Sequence, residues 1–128
     1  MNHMTALIVE DQIIPAMDLK STLNKCGFSN SIIVNSGKKA IRLIEEESIS
    51  FATLDINLAD KISGFEIGKK LIKKNIPFVF ISSFSNPDNL ILAKELNPMG
   101  IFEKPFDRDE LILMIQHNFI LSSIECFT

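Results

Sequence analysis

The chain has 128 residues, 46% of them hydrophobic and 23% charged, so we expect one folded domain over residues 1–128 rather than a disordered segment. The formal net charge of −3 at pH 7 argues against direct binding to nucleic acid or to an anionic membrane surface. Because neither a membrane span nor an export signal is evident, a cytoplasmic location is expected.

The first half of the chain alternates short apolar runs with longer helical patterns. Residues 5–10 have the continuous apolar character of a strand that is covered on both faces, and a predicted helix over residues 12–25 follows them. Gly27, just past that helix, is typical of a helix end. A short strand at residues 32–34 and a helix over residues 37–47 make the second pair.

The third strand, residues 51–55, leads into a polar loop over residues 57–64. This loop is slightly long, and it carries Asp60 and Lys61, for which the sequence indicates no role. A helix follows the loop, and its apolar positions are Phe65, Ile67, Leu71 and Ile72.

Two more strand and helix pairs complete the pattern. The fourth strand, residues 78–81, is wholly apolar and precedes a helix over residues 87–96, which the following Asn-Pro pair ends. Residues 100–104 form the last strand. Asp107 is the predicted N-cap of the final helix, with Glu110 three residues later as in a capping box.

Five such pairs predict an α/β fold, because parallel strands joined by right-handed helical crossovers form a doubly wound sheet with helices on both faces. Ligands of these sheets bind beyond the carboxyl ends of the strands. The residues at those ends are polar in this chain: Glu10 and Asp11, Asp55, Ser82, and Lys104.

Four short motifs at these strand ends resemble the pattern of response-regulator receiver domains. They are Val9-Glu10-Asp11, Leu54 to Leu58 (LDINL), Ile81 to Phe84 (ISSF) and Glu103 to Phe106 (EKPF). The resemblance covers nearly the whole chain. It implies a flavodoxin-like (βα)5 fold with a five-stranded parallel sheet in the order 2-1-3-4-5.

In that order strands one and three are neighbours, which brings Glu10, Asp11 and Asp55 together. Three carboxylates repel unless a cation compensates, and an all-oxygen acidic site with room for water suits Mg²⁺. The resemblance implies that Asp11 and Asp55 bind the metal directly, that the main-chain carbonyl of Asn57 is a third ligand, and that Glu10 acts through water.

The resemblance also implies that Asp55 is the phosphoacceptor, taking a phosphoryl group from a sensor histidine kinase or a histidine phosphotransfer protein. The metal and the Lys104 ammonium would hold the phosphoryl oxygens as charge spreads over them. Ser82 is expected to move toward the new phosphoryl group and to reshape the surface around the last strand. Ser83 and Pro105 flank these residues as supporting positions.

The chain departs from many receivers at Ile101, three positions before the lysine, where an aromatic residue usually reports phosphorylation. Phe102 is expected on the buried side of the strand, with Ile101 and Glu103 facing outward. Our hypothesis is that the surface responds through Ile101 packing. The family pattern further implies that Asn57 and Phe84 tune loss of the phosphoryl group, with Phe84 screening water.

Two other functions are alternatives, the first of which also uses a strand-end Asp, magnesium and a lysine. A haloacid-dehalogenase-type phosphatase needs D-x-D, but Asn57 replaces the second acid here, and turnover of a phosphate ester would discriminate. The other alternative is a receiver-like interaction module that is not phosphorylated, against which the intact acidic pair, Asp55, Ser82 and Lys104 argue.

The output is open. The final helix carries an inward stripe and, in addition, Ile112, Leu113, Ile120 and Leu121, which exceed the need of one buried face. This strand-five and last-helix surface could serve a homodimer or a downstream effector, or it could simply pack on the sheet. The chain could act as a stand-alone phosphate relay or as one domain of a larger regulator or hybrid kinase.

Overall fold

Five strands alternate with five helices in a computed structural model, which describes residues 4–58 and 60–120. The strands are β1 Thr5–Val9, β2 Asn30–Val34, β3 Phe51–Leu54, β4 Phe78–Ser82 and β5 Gly100–Glu103. The helices are α1 Ile13–Lys25, α2 Gly37–Glu46, α3 Gly64–Lys73, α4 Pro87–Glu95 and α5 Arg108–Ile115, and a π-helical turn, Gln116–Ile120, continues α5. None of these helices, within the ranges described, has the length and apolar character needed to cross a bilayer.

All five strands are parallel, and their order in the sheet is β2-β1-β3-β4-β5, which confirms the predicted fold. The register pairs Val9 with Leu54, and Leu54 with Phe80. β1, β3 and β4, the three central strands of the sheet, therefore end at nearly the same level. The polar residues that follow them lie along one edge, the carboxyl edge of the sheet.

Each face of the sheet buries its own apolar cluster, because successive strand side chains point to opposite faces. On β4, Phe80 faces the cluster under α2, α3 and α4, whereas Val79 and Ile81 face the cluster under α1 and α5. Since helices cover both faces, the carboxyl edge is left as the place where polar side chains can meet a ligand.

The ends of the helices follow local chemistry. Gly27 has φ of 99°, a conformation that glycine adopts without the cost of a Cβ, and it follows α1 as predicted. Asp107 caps α5, since its carboxylate accepts a hydrogen bond from Asp109 N at 2.9 Å. The predicted capping box with Glu110 is wrong: among the described residues, the Glu110 carboxylate accepts no bond from Asp107 N.

Ile101 and Phe102 point to opposite faces of β5, as alternation requires, but the prediction that Ile101 faces outward is wrong. Ile101 is half-buried against the cluster under α2, α3 and α4. Phe102 packs on the other face, with its ring centroid 6.0 Å from that of Phe106. Both faces of this edge strand are therefore covered. Ile101 and Phe102 are half-buried, whereas Glu103 is exposed as predicted.

Of the four additional apolar residues predicted on the last helix, the structure describes the side chains of two. Ile112 packs inward against the α1 and α5 cluster, whereas Leu113 is 64% exposed. The Ile120 side chain and Leu121 lie outside the described residues.

On α3, Ile72 is exposed although its neighbour Leu71 is fully buried.

Candidate functional site

Two acidic residues follow β1 at the carboxyl edge. Glu10 is only 2% exposed, and its Oε2 accepts a hydrogen bond from Gln12 N at 3.1 Å. Its own N–H continues the sheet pattern by donating to Val34 O at 3.0 Å. Asp11, the next residue, is exposed. The end of this strand therefore offers one buried and one accessible carboxylate.

Asp55 follows β3 and is 7% exposed. Its Oδ1 accepts hydrogen bonds from Ser82 Oγ at 2.7 Å and from Asn57 N at 3.0 Å, and its Oδ2 accepts one from Lys104 Nζ at 3.0 Å. Three donors therefore fix this carboxylate in one orientation. All three belong to residues that the sequence placed in the site.

Lys104 binds two carboxylates at once, because its ammonium also pairs with Glu10 Oε1. Burial lowers the pKa of Lys104, but the hydrogen bonds to Glu10 and Asp55 outweigh this effect and raise the pKa overall. Burial raises the pKa of Glu10, although the bonds from Lys104 and Gln12 act in the opposite direction. The ammonium is thus held in its charged form between two acidic groups.

Three carboxylates at the carboxyl edge of the sheet are close enough together to bind one metal ion. Glu10, Asp11 and Asp55 each offer a carboxylate oxygen, and these three oxygens all lie within 4.8 Å of one another. Hard divalent cations such as Mg²⁺ prefer carboxylate and carbonyl oxygens and keep several water ligands. The donor set therefore fits Mg²⁺, with the exposed Asp11 on the solvent side of the cage.

Ser82 is completely buried at the end of β4, so its hydroxyl has Asp55 as a partner and no access to solvent. Its carbonyl oxygen accepts a hydrogen bond from Lys104 N at 2.9 Å. The same residue therefore contacts the Asp55 carboxylate through its side chain and the end of β5 through its backbone.

The supporting positions lie around this group rather than in it. Ser83 and Pro105 are exposed, while Phe84 and Ile101 are half-buried against the cluster under α2, α3 and α4. Among the described residues, none of these four side chains forms a hydrogen bond to Asp55.

One contact near the site is absent from the sequence prediction. The Asp60 carboxylate accepts hydrogen bonds from Gly37 N and Lys38 N, both at 3.0 Å. These backbone bonds lower the pKa of Asp60. No local pattern reveals the contact, because the two donors lie on α2, more than twenty positions earlier in the chain.

A parallel sheet in the order 2-1-3-4-5, with acidic, hydroxyl and ammonium groups meeting at its carboxyl edge, places the chain in the class of flavodoxin-like α/β domains. The family model described as "Response regulator receiver domain" matches residues 6–116. The chain therefore belongs to the response regulator receiver domain family. Receiver domains of this family are signalling domains that work with histidine kinases or phosphotransfer proteins.

Known proteins support the same assignment. The chain is 32% identical, over 107 residues, to sporulation initiation phosphotransferase F of Bacillus subtilis. The aligned region covers 82% of this chain and 85% of that protein. It also matches the response regulator protein GraR of Staphylococcus aureus, at 31% identity over 88% of this chain. The chain spans 50% of the length of GraR and therefore resembles only a part of it.

Solved structures of receiver domains superimpose on most of the chain. The signal receiver domain of a modulated diguanylate cyclase from Desulfovibrio desulfuricans G20 has a TM-score of 0.80 and 28% identity, covering 97% of this chain and 99% of that one. The receiver domain of a sensor histidine kinase from Pseudomonas aeruginosa PAO1 has a TM-score of 0.77 and 18% identity, covering 91% and 97% respectively. That second structure holds a magnesium ion coordinated in its active-site cleft.

Proposed function

We propose that this chain accepts a phosphoryl group on Asp55 in an Mg²⁺-dependent reaction and uses the modification to change its interaction surface. The observation that carries the proposal is the Asp55 carboxylate itself, which is buried and held by Ser82, Lys104 and Asn57 at 2.7–3.0 Å beside two further carboxylates. The donor is a sensor histidine kinase or a histidine phosphotransfer protein in the cytoplasm.

In the proposed transfer, an oxygen of the Asp55 carboxylate forms a bond to phosphorus while the bond from phosphorus to the donor's imidazole nitrogen breaks. The imidazole leaves with the electron pair of that bond, and Asp55 becomes an acyl phosphate. Lys104 already lies 3.0 Å from Asp55 Oδ2, so its ammonium needs little movement to pair with a phosphoryl oxygen. Glu10, Asp11, Asp55 and the Asn57 carbonyl would hold Mg²⁺, which would neutralise charge on the transferring group.

Ser82 supports the switching part of the proposal. Its hydroxyl now donates to Asp55 Oδ1, and a phosphoryl group on Asp55 offers a stronger, more highly charged acceptor. Lys104 N donates a hydrogen bond to the Ser82 carbonyl oxygen, so movement of Ser82 would also shift the backbone at the end of β5. A second copy of the chain or an effector would then bind the altered surface of β5 and α5, where Leu113 is exposed.

The test is to incubate the chain with Mg²⁺ and acetyl phosphate and to measure its intact mass beside an Asp55→Asn variant. A labile adduct of one phosphoryl group is expected in the parent and not in the variant, and chelation of Mg²⁺ should prevent it. An unmodified parent chain, or equal modification of both chains, would overturn the proposal. Continued hydrolysis of a phosphate ester would instead favour a phosphatase.

A further inference from the structure

The loop between β3 and α3 is attached to a second helix. Asp60, in the middle of this loop, bonds to the N–H groups of Gly37 and Lys38 through its two carboxylate oxygens, each at 3.0 Å. These donors belong to the first turn of α2, where backbone N–H groups have no partner within the helix and the helix dipole favours negative charge. The loop therefore supplies part of the cap of α2.

Ile62 makes a second attachment at the same place. A Cβ built on Gly37 would lie 2.6 Å from Ile62 Cβ and 2.9 Å from Ile62 O, so the loop backbone rests directly on the start of α2. Only glycine permits this approach. The middle of the loop is therefore held on α2 by one apolar contact and by two charge-assisted hydrogen bonds.

The near end of the same loop lies in the proposed phosphorylation site. Asn57 N donates to Asp55 Oδ1 at 3.0 Å, and the loop returns at Gly64, whose N–H donates to Ile56 O at 3.4 Å. In the sequence only two residues separate Asn57 from Asp60, so their covalent connection limits how far the Asn57 backbone can move while Asp60 is bound to α2. The attachment to α2 therefore restrains the backbone that includes Asn57.

We propose that Asp60 is a positioning residue for the phosphoacceptor site: by binding the start of α2 it holds the Asn57 backbone in place to bind Mg²⁺ and Asp55. The inference rests on the proposed function, because it assigns Asp60 a part in that reaction. Asp60 itself touches neither Asp55 nor the phosphoryl group in this scheme.

Capping of α2 alone does not account for Asp60. The helix has its own N-cap residue, Ser36, whose hydroxyl accepts a hydrogen bond from Lys39 N at 3.3 Å. Loss of either Ser36 or Asp60 removes acceptors from the same helix end. Loss of Asp60 alone also releases the loop, so the two residues form a matched pair for an experiment.

The experiment measures the Kd for Mg²⁺ by isothermal titration calorimetry for the full chain and for Asp60→Ala, Asp60→Asn and Ser36→Ala. By analogy with residues that orient metal ligands, we expect Asp60→Ala to raise this Kd roughly tenfold. Ser36→Ala should leave the Kd within about twofold, since its loss costs helix stability and not loop position. Asp60→Asn retains one acceptor oxygen and should fall between the parent and Asp60→Ala.

Phosphorylation by acetyl phosphate gives a second readout. Asp60→Ala should be slow at low Mg²⁺ and approach the parent rate when Mg²⁺ saturates the site. Equal changes in Kd for Asp60→Ala and Ser36→Ala, no change for Asp60→Ala, or equal losses for Asp60→Ala and Asp60→Asn would each overturn the inference. A parent chain that neither binds Mg²⁺ nor is phosphorylated would overturn the proposed function and this inference with it.

Discussion

At the scale of single residues, Lys104 stands out because one ammonium serves two buried carboxylates. Its side chain is 25% exposed, while Glu10 and Asp55 are almost inaccessible, so the three groups form a mostly desolvated cluster. Charge-assisted bonds in such surroundings are stronger than bonds in water, and an unpaired charge there is costly. Lys104 is thus placed to keep the site folded and, in the proposed reaction, to stabilise charge during phosphoryl transfer.

Replacing Lys104 tests the second of these roles. We expect Lys104→Gln to slow phosphorylation by acetyl phosphate by roughly 100-fold or more, because one charged group facing the transferring oxygens is lost. The rate is measured from intact mass against time at saturating Mg²⁺. Lys94→Gln, an exposed position on α4, is the control and should match the parent. A parent-like rate in Lys104→Gln would show that the ammonium does not act in the transfer.

Thr53, on the central strand, carries a different polar group. Its side chain is buried and its hydroxyl has no hydrogen-bond partner among the described residues. A buried hydroxyl without a partner costs free energy relative to an apolar group of similar shape. We expect Thr53→Val to raise the free energy of unfolding by about 1 kcal/mol, measured by urea denaturation.

Thr22 is the matched control for that experiment, since it is also buried but donates to Asp18 O at 3.0 Å. Thr22→Val removes a satisfied hydroxyl and should leave the stability unchanged or lower it by about 1 kcal/mol. A less stable Thr53→Val variant would indicate that the Thr53 hydroxyl has a partner, such as a buried water molecule.

At the scale of elements, the start of α3 depends on how closely it approaches the end of β3. A Cβ on Gly64 would lie 2.4 Å from Asp55 O and 2.9 Å from Ile56 Cα, and both are backbone atoms that cannot rotate away. We expect Gly64→Ala to destabilise the domain by about 2 kcal/mol and to slow phosphorylation, because the Asp55 backbone must shift. Thermal unfolding and intact mass measure the two effects.

Gly68, one turn later in α3, separates that effect from a general loss of glycine. A Cβ there would lie 3.3 Å from the side chains of Leu96 and Phe78, which can adjust. Alanine also favours the helix interior over glycine by about 1 kcal/mol, which offsets the crowding. Gly68→Ala should therefore be close to the parent in both measurements, and equal damage from the two substitutions would contradict the assigned role of Gly64.

The elements themselves could be predicted from the sequence to within one or two residues, because caps and apolar periodicity are local. The helix predicted over residues 37–47 is observed at Gly37–Glu46. The strand order came from the family resemblance, since no local pattern determines which strands are neighbours. The motifs place Glu10 and Lys104 in one site but do not show that the two side chains pair directly, and Asp60, which bonds to α2, lies outside the motifs. Ile101 was misplaced because alternation does not show which faces of an edge strand are covered.

At the scale of the whole molecule, the site depends on the sheet being covered on both faces. Apolar strand residues are buried under α2, α3 and α4 on one side and under α1 and α5 on the other. The polar groups of the candidate site therefore lie at the carboxyl edge, where the ends of β1, β3, β4 and β5 meet. Glu10, Asp11 and Asp55 come together only when the central strands are paired, so a metal at this edge would bind the folded chain and not the unfolded one.

Binding of Mg²⁺ to the folded chain alone should raise its stability, by about 2.7 kcal/mol at a free Mg²⁺ concentration 100 times the Kd. For a domain of this size, that corresponds to a rise in Tm of order 10 °C. Asp11→Asn removes the exposed carboxylate and leaves the hydrogen bonds of Asp55 and Lys104 in place, so most of the rise should disappear in this variant. Calorimetry with Mg²⁺, and with Na⁺ at the same ionic strength, measures the effect, because Na⁺ screens the repulsion between the carboxylates without occupying a divalent site. An equal rise with Na⁺, or an undiminished rise in Asp11→Asn, would mean that the cluster gains only charge screening and does not form a metal site.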